Sequence, residues 1–135
     1  VPGSAAELAG LERVALGDPE HVPAGIYARQ ALTNLGVWDS LSGRDRLVLS
    51  QDVRAVLSLV EQGAVSAGLV YATDALASVR VRVAFAFPES SHDPVDYHAA
   101  VISTSPNAAA AASLLEFMRS ERFRDILTRR GFTTP

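Results

Sequence analysis

Residues 13–36 read Arg13-Val14-Ala15-Leu16-Gly17-Asp18-Pro19-Glu20-His21-Val22-Pro23-Ala24-Gly25-Ile26-Tyr27-Ala28-Arg29-Gln30-Ala31-Leu32-Thr33-Asn34-Leu35-Gly36. Arg13 to Leu16 is a short apolar run stopped by Gly-Asp-Pro, the punctuation of a strand end, so it predicts a buried strand. From Pro23 the apolar residues Ile26, Tyr27, Ala31, Leu32 and Leu35 recur at helical spacing until Gly36, which is placed as a C-terminal cap. A strand, a tight turn and a helix in this order are the start of an α/β domain.

The same alternation continues on both sides. Ala5 to Leu11 predicts a helical turn. Leu47-Val48-Leu49 predicts a second strand, after which Ser50-Gln51-Asp52 offers cap side chains to a helix with Val53, Val56, Leu57 and Val60 on one face, ended by Gly63. Ser66 to Tyr71 reads as a third strand, Thr73-Asp74 as the cap of a short turn over Ala75 to Ser78, and Val81 to Phe87 as a fourth strand. Pro88 to Pro94 is a polar loop, and Tyr97 to Ser103 is apolar enough to be one more strand. Ser105-Pro106 is a sound helix start. Two helices then follow, Ala108 to Arg119 and Arg122 to Arg130, with Gly131 after the second.

Composition narrows the function. The chain has 135 residues, 48% of them hydrophobic, and at this size roughly two-thirds of the unfolded chain's surface can be buried without disulfides or a structural metal. There is no Cys, so thiol chemistry is excluded, and the lack suits an oxidising and a reducing compartment equally. All 12 basic residues are Arg, scattered among 15 acids for a net charge of −3, so no footprint for nucleic acid is visible. No run approaches the ~18 apolar residues of a membrane span, and Val1-Pro2-Gly3-Ser4 has neither the basic nor the apolar region of a signal peptide. The missing initiator Met predicts a processed protein or a piece of one, with any targeting signal removed before Val1.

Catalytic and metal motifs are thin. His21, His92 and His98 lack metal-ligand spacing. No nucleophile elbow, Walker loop or dinucleotide fingerprint is present. Ser91-His92-Asp93 are sequence neighbours, which cannot reach triad geometry. Asp18, Glu20, His21 and Asp74 are the residues an acid–base enzyme would have to gather near the strand ends. The expectation is that the chain is not an enzyme.

What recurs is a strand whose end opens a helix, at Gly17 to Gly25, Leu49 to Val53 and Tyr71 to Asp74. The first N–H groups of a helix have no intrahelical partner and carry the positive end of its dipole, so such turns can hold a small oxyanion with neutral donors. In a parallel sheet they lie together at the carboxyl ends of the strands. On the residues alone they read first as ordinary strand-to-helix connections.

The segment Gly17 to Ala28 resembles the signature region of the periplasmic molybdate-binding proteins, the solute receptors of molybdate ABC transporters. The resemblance continues in order through Leu35-Gly36-Val37-Trp38-Asp39, Asp52 to Glu61, Gly68 to Ala75, Phe87-Pro88-Glu89 and Arg130-Gly131-Phe132. It implies a type II periplasmic-binding-protein fold with three-layer αβα lobes, holding molybdate or tungstate without cationic side chains, cofactor or metal ligands. Carried over position by position, it implies a backbone N–H from Ala24, a backbone N–H from Val53 and the phenol hydroxyl of Tyr71. On the residues alone, Tyr71 reads as a core aromatic and Ala24 and Val53 as packing residues.

The resemblance further implies that a complete receptor has roughly another hundred residues of first lobe ahead of this region. They include two serine-bearing turns to the same anion, which no segment here matches. Residues 11–97 are then expected to be the second lobe, and 98–135 a hinge return strand with C-terminal helices that belong to the first. The implied partners are a small oxyanion and the membrane permease of the transporter, in a periplasmic or extracytoplasmic location. The apolar faces of the last two helices predict self-association, by exchange of those helices. The alternative is the anion-sensing domain of a transcriptional regulator, although no helix-turn-helix region is seen.

Overall fold

The computed structural model describes residues 3–43 and 45–134. They form two units, one up to Pro94 and one from Val95 onward.

The first unit is built on three parallel strands in the order β2-β1-β3: β1 Val14–Gly17, β2 Leu47–Ser50 and β3 Ala67–Gly68. All four residues of β1 are buried, as an apolar central strand covered on both faces must be. Successive side chains alternate between the faces. Val14 and Leu16 join Ala28, Leu32, Val37 and Leu41 on one side. Ala15 joins Val56 and Val65 on the other. The helices supplying those partners are α1 Ala5–Leu8, α2 Pro23–Asn34 and α3 Trp38–Ser42 on the first side and α4 Val53–Glu61 on the second. This is a three-layer αβα lobe. Burying each large core side chain contributes about 1.5–3 kcal/mol, and Leu16, Leu32 and Leu41 are wholly enclosed.

Helix ends follow the residues expected to make them. Asp52 caps α4, its Oδ1 accepting the Ala55 N–H at 2.8 Å. Gly36 and Gly63 take positive φ just beyond α2 and α4, at 70° and 69°, where a side chain would be strained.

Several expectations are corrected. The third strand pairs with β1 only at Ala67 and Gly68, and its last link is the Leu69 N–H to the Ala15 carbonyl at 2.9 Å. The short turn expected over Ala75 to Ser78 is instead the helix α5 Ala72–Ala77, whose N-cap is Tyr71 and not Thr73-Asp74. Residues 81–87 form no strand: no neighbour offers them a ladder, and Phe85 and Phe87 instead pack on the core with their rings edge to face, 5.1 Å apart. Alternating hydrophobicity reports one buried face, which an extended unpaired segment satisfies as well as a strand does. Helix α3 was not anticipated. Its five residues are too few to show a period.

In the second unit, α6 Ala108–Met118 and α7 Glu121–Arg129 are the two expected helices. Ser120 caps α7 through the Phe123 N–H at 3.3 Å, and the Phe117 and Phe123 rings meet at 5.4 Å. Ser105 accepts the Asn107 N–H in a turn and does not cap α6, whose N-cap is Asn107. Residues 97–103, expected as the hinge return strand, pair with no strand among the described residues. Tyr97 packs on Phe132 at 5.8 Å.

Candidate functional site

Because the three strands are parallel, their carboxyl ends share one edge of the lobe. Gly17 lies opposite Ser50 there, and the Asp18 N–H continues the ladder to the Ser50 carbonyl at 2.9 Å. From that edge β1 opens α2, β2 opens α4, and β3 leads through Leu69 and Val70 to α5.

Each expected site residue falls in one of those openings. In α2, Pro23 has no N–H, and the Gly25 and Ile26 N–H groups both return to the Val22 carbonyl, at 2.9 and 3.0 Å. The N–H of the buried Ala24 is therefore left over from the first turn among the described residues. In α4, the Ala55 N–H goes to the Asp52 carboxylate and the Val56 N–H to the Asp52 carbonyl. The N–H groups of Val53 and Arg54 are left over in the same way. Tyr71 is half-buried and precedes α5, and its carbonyl accepts the Asp74 and Ala75 N–H groups. Ala24, Val53 and Tyr71 thus head the three helices that start from one sheet edge.

Two glycines make this arrangement sterically attainable. A Cβ on Gly25 would lie 2.0 Å from the Gly17 carbonyl oxygen, and one on Gly17 would lie 2.5 Å from Val22 Cγ1. Only bare backbone at both positions lets α2 start directly against the end of β1.

Of the residues that an acid–base enzyme would gather, Asp18 and His21 meet, while the Glu20 and Asp74 carboxylates pair with arginines. Asp18 pairs with His21 at 3.4 Å, Glu20 with Arg29 at 3.0 Å, and Asp74 with Arg54 at 3.8 Å. His92 stands against the Tyr27 ring at 6.1 Å, in the loop that Gln30 and Asn34 hold to α2. An open groove of about 330 Å³ along α2, lined by Pro19, Ile26, Arg29, Gln30, Thr33 and Asn34, takes in none of the three turn residues.

A family model described as bacterial extracellular solute-binding protein matches residues 3–133. The chain belongs to that family. The chain is 46% identical over 121 residues to the molybdate-binding protein ModA of Escherichia coli, a match spanning 90% of this chain and 46% of that protein. Among solved structures, the substrate-binding domain of an ABC transporter assigned to molybdenum in Clostridium difficile superimposes with a TM-score of 0.82 at 35% identity, over 96% of this chain and 56% of that one. The periplasmic molybdate-binding protein of Azotobacter vinelandii shares the fold, with a TM-score of 0.77 at 23% identity, over 93% and 55% of the two chains. The resemblance read from Gly17 to Ala28, and the αβα lobe it implied, are borne out. The chain spans about half the length of the curated relatives it matches. No described helix is long and apolar enough to cross a membrane.

Arg54 was not singled out by sequence reasoning, and Asp74 was considered only as a cap or an acid. The signal that links them is positional, since each lies in the first turn of a helix that heads the same edge.

Proposed function

We propose that the chain binds a tetrahedral oxyanion, molybdate or tungstate, as part of the extracytoplasmic receptor of an ABC importer, and performs no chemistry on it. The observation that carries this reading is the convergence of three strand-to-helix turns on one edge of a parallel sheet, in a chain 46% identical to a molybdate-binding protein. The Ala24 and Val53 N–H groups and the Tyr71 hydroxyl are the donors. A ring of neutral donors discriminates by anion radius and protonation state, because an N–H cannot accept the proton of a hydrogenated oxyanion. Residues 11–97 act as one lobe, residues 98–135 return to another, and closure of the two lobes on the anion is the event read by the membrane permease. The family's extracellular description favours a receptor over the sensing domain of a regulator.

The test is a calorimetric titration of this chain with molybdate and with tungstate, with sulfate as competitor. Heat that sulfate does not displace, lost in a Tyr71→Phe variant, is the expected result. Equal displacement by sulfate would remove the selective-donor reading.

A further inference from the structure

Val53 and Tyr71 belong to turns that the sheet does not tie together. Their strands, β2 and β3, lie on opposite sides of β1 and share no ladder. With neighbouring strands about 4.8 Å apart, the two strand ends are separated by roughly twice that distance. An oxyanion bridging them needs that gap held to a fraction of an ångström.

A side-chain ion pair spans the gap at the helix starts. Arg54, next to Val53 in the first turn of α4, brings its Nε to 3.8 Å from Oδ1 of Asp74, in the first turn of α5 after Tyr71. The Asp74 side chain is 14% exposed and that of Arg54 80% exposed. Asp74 Oδ2 is buried with no hydrogen-bond partner among the described residues, which leaves Arg54 as the ion-pair partner of an enclosed charge. The far ends of the two helices are also joined. Ser78 Oγ donates to Glu61 Oε1 at 2.5 Å, and Arg80 Nη2 donates to the Glu61 carbonyl at 3.0 Å.

We propose that the Arg54–Asp74 ion pair is a positioning clasp that sets the spacing between the Val53 and Tyr71 turns and thereby the fit of the bound anion. The proposal rests on the oxyanion reading above. It assigns Arg54 no contact with the anion, and it gives Asp74, although negative, a favourable effect on binding an anion. That sign separates a clasp from a simple field effect. If the charges acted only through space, removing Asp74 would strengthen the binding of a dianion and removing Arg54 would weaken it. If they act as a clasp, either loss weakens binding.

The experiment measures amide hydrogen exchange of the ligand-free chain and molybdate affinity by calorimetry, for the parent, Arg54→Ala, Asp74→Asn, the double variant and Arg54→Lys. Both single variants are expected to speed exchange at residues 53–55 and 72–75 together. Each is expected to weaken molybdate binding by about threefold, the scale of a partly exposed ion pair, with the double variant no weaker than either single one. Arg54→Lys should restore much of the affinity. Unchanged exchange in the second turn when Arg54 is removed, or tighter binding by Asp74→Asn, overturns the clasp. A parent chain that gives no molybdate heat overturns the reading that these three turns capture the anion by themselves, a failure seen before any variant is compared, and the exchange coupling of the two turns then decides the clasp alone.

Discussion

Gly25 stands so close to Gly17 that a Cβ on it would lie 2.0 Å from the Gly17 carbonyl oxygen and 2.5 Å from its carbonyl carbon. The obstacle is the backbone of a wholly buried central strand, which cannot turn aside as a side chain can. Gly25→Ala is therefore expected to push the start of α2 off β1 and to cost about 1–3 kcal/mol, the range of overpacked cores. Thermal unfolding followed by circular dichroism should show a midpoint several degrees lower, and an unchanged midpoint would mean that α2 is not seated as described. At Gly68 the crowding atoms are methyl groups of Val60 and Val56, at 2.6 and 3.0 Å. Gly68→Ala should therefore cost less, because those side chains can rotate.

Asp52 does two things at the head of α4: it accepts the Ala55 N–H and it places a negative charge beside the Val53 turn. Asp52→Ala removes both and is expected to cost about 1 kcal/mol. Asp52→Asn keeps an acceptor and loses the charge, so its urea midpoint should stay near that of the parent. Equal losses in the two variants would show that charge, not the cap, holds the helix start.

Much of this lobe was legible because its local signals agree. Gly17-Asp18-Pro19 ended β1, Pro23 opened α2, Gly36 closed it, and the Asp52 cap predicted from Ser50-Gln51-Asp52 is the one formed. The three turn openings could be read for the same reason, since each begins at such a signal. What local pattern does not encode is which segments pair. Phe85 and Phe87 show the period of a strand because they share a buried face, yet they have no ladder. Residues 97–103 misled in the same way, through apolar content without a partner. The Arg54–Asp74 contact joins positions 20 residues apart across a sheet whose strand order has to be known first.

Burial separates two leucines that look alike in the sequence. Leu32 on α2 is fully enclosed among Leu16, Ala28 and Leu41, so Leu32→Ala leaves a cavity and should cost about 2–5 kcal/mol. Leu49 on β2 is 52% exposed, and Leu49→Ala should change stability by no more than about 0.5 kcal/mol. Chemical denaturation of the two variants side by side checks the assignment of the first core cluster, and similar losses would contradict it.

Neutral donors leave a signature in salt as well as in mutation. Tyr71→Phe keeps the ring and its packing but removes the hydroxyl proposed to reach the anion. Molybdate affinity should therefore fall by about tenfold or more, in line with about 1.5–3 kcal/mol for a hydrogen bond to a charged group. The ring still fills its half-buried place in this variant, so its far-ultraviolet circular dichroism should match the parent's. Screening weakens attraction between separated charges far more than hydrogen bonding at contact. Calorimetry from about 0.05 M to about 0.5 M sodium chloride should accordingly change the parent's molybdate affinity by less than about threefold. A steeper loss would mean that an Arg guanidinium contacts the anion. Arg54, whose side chain is 80% exposed next to the Val53 turn, would then be the first residue to replace.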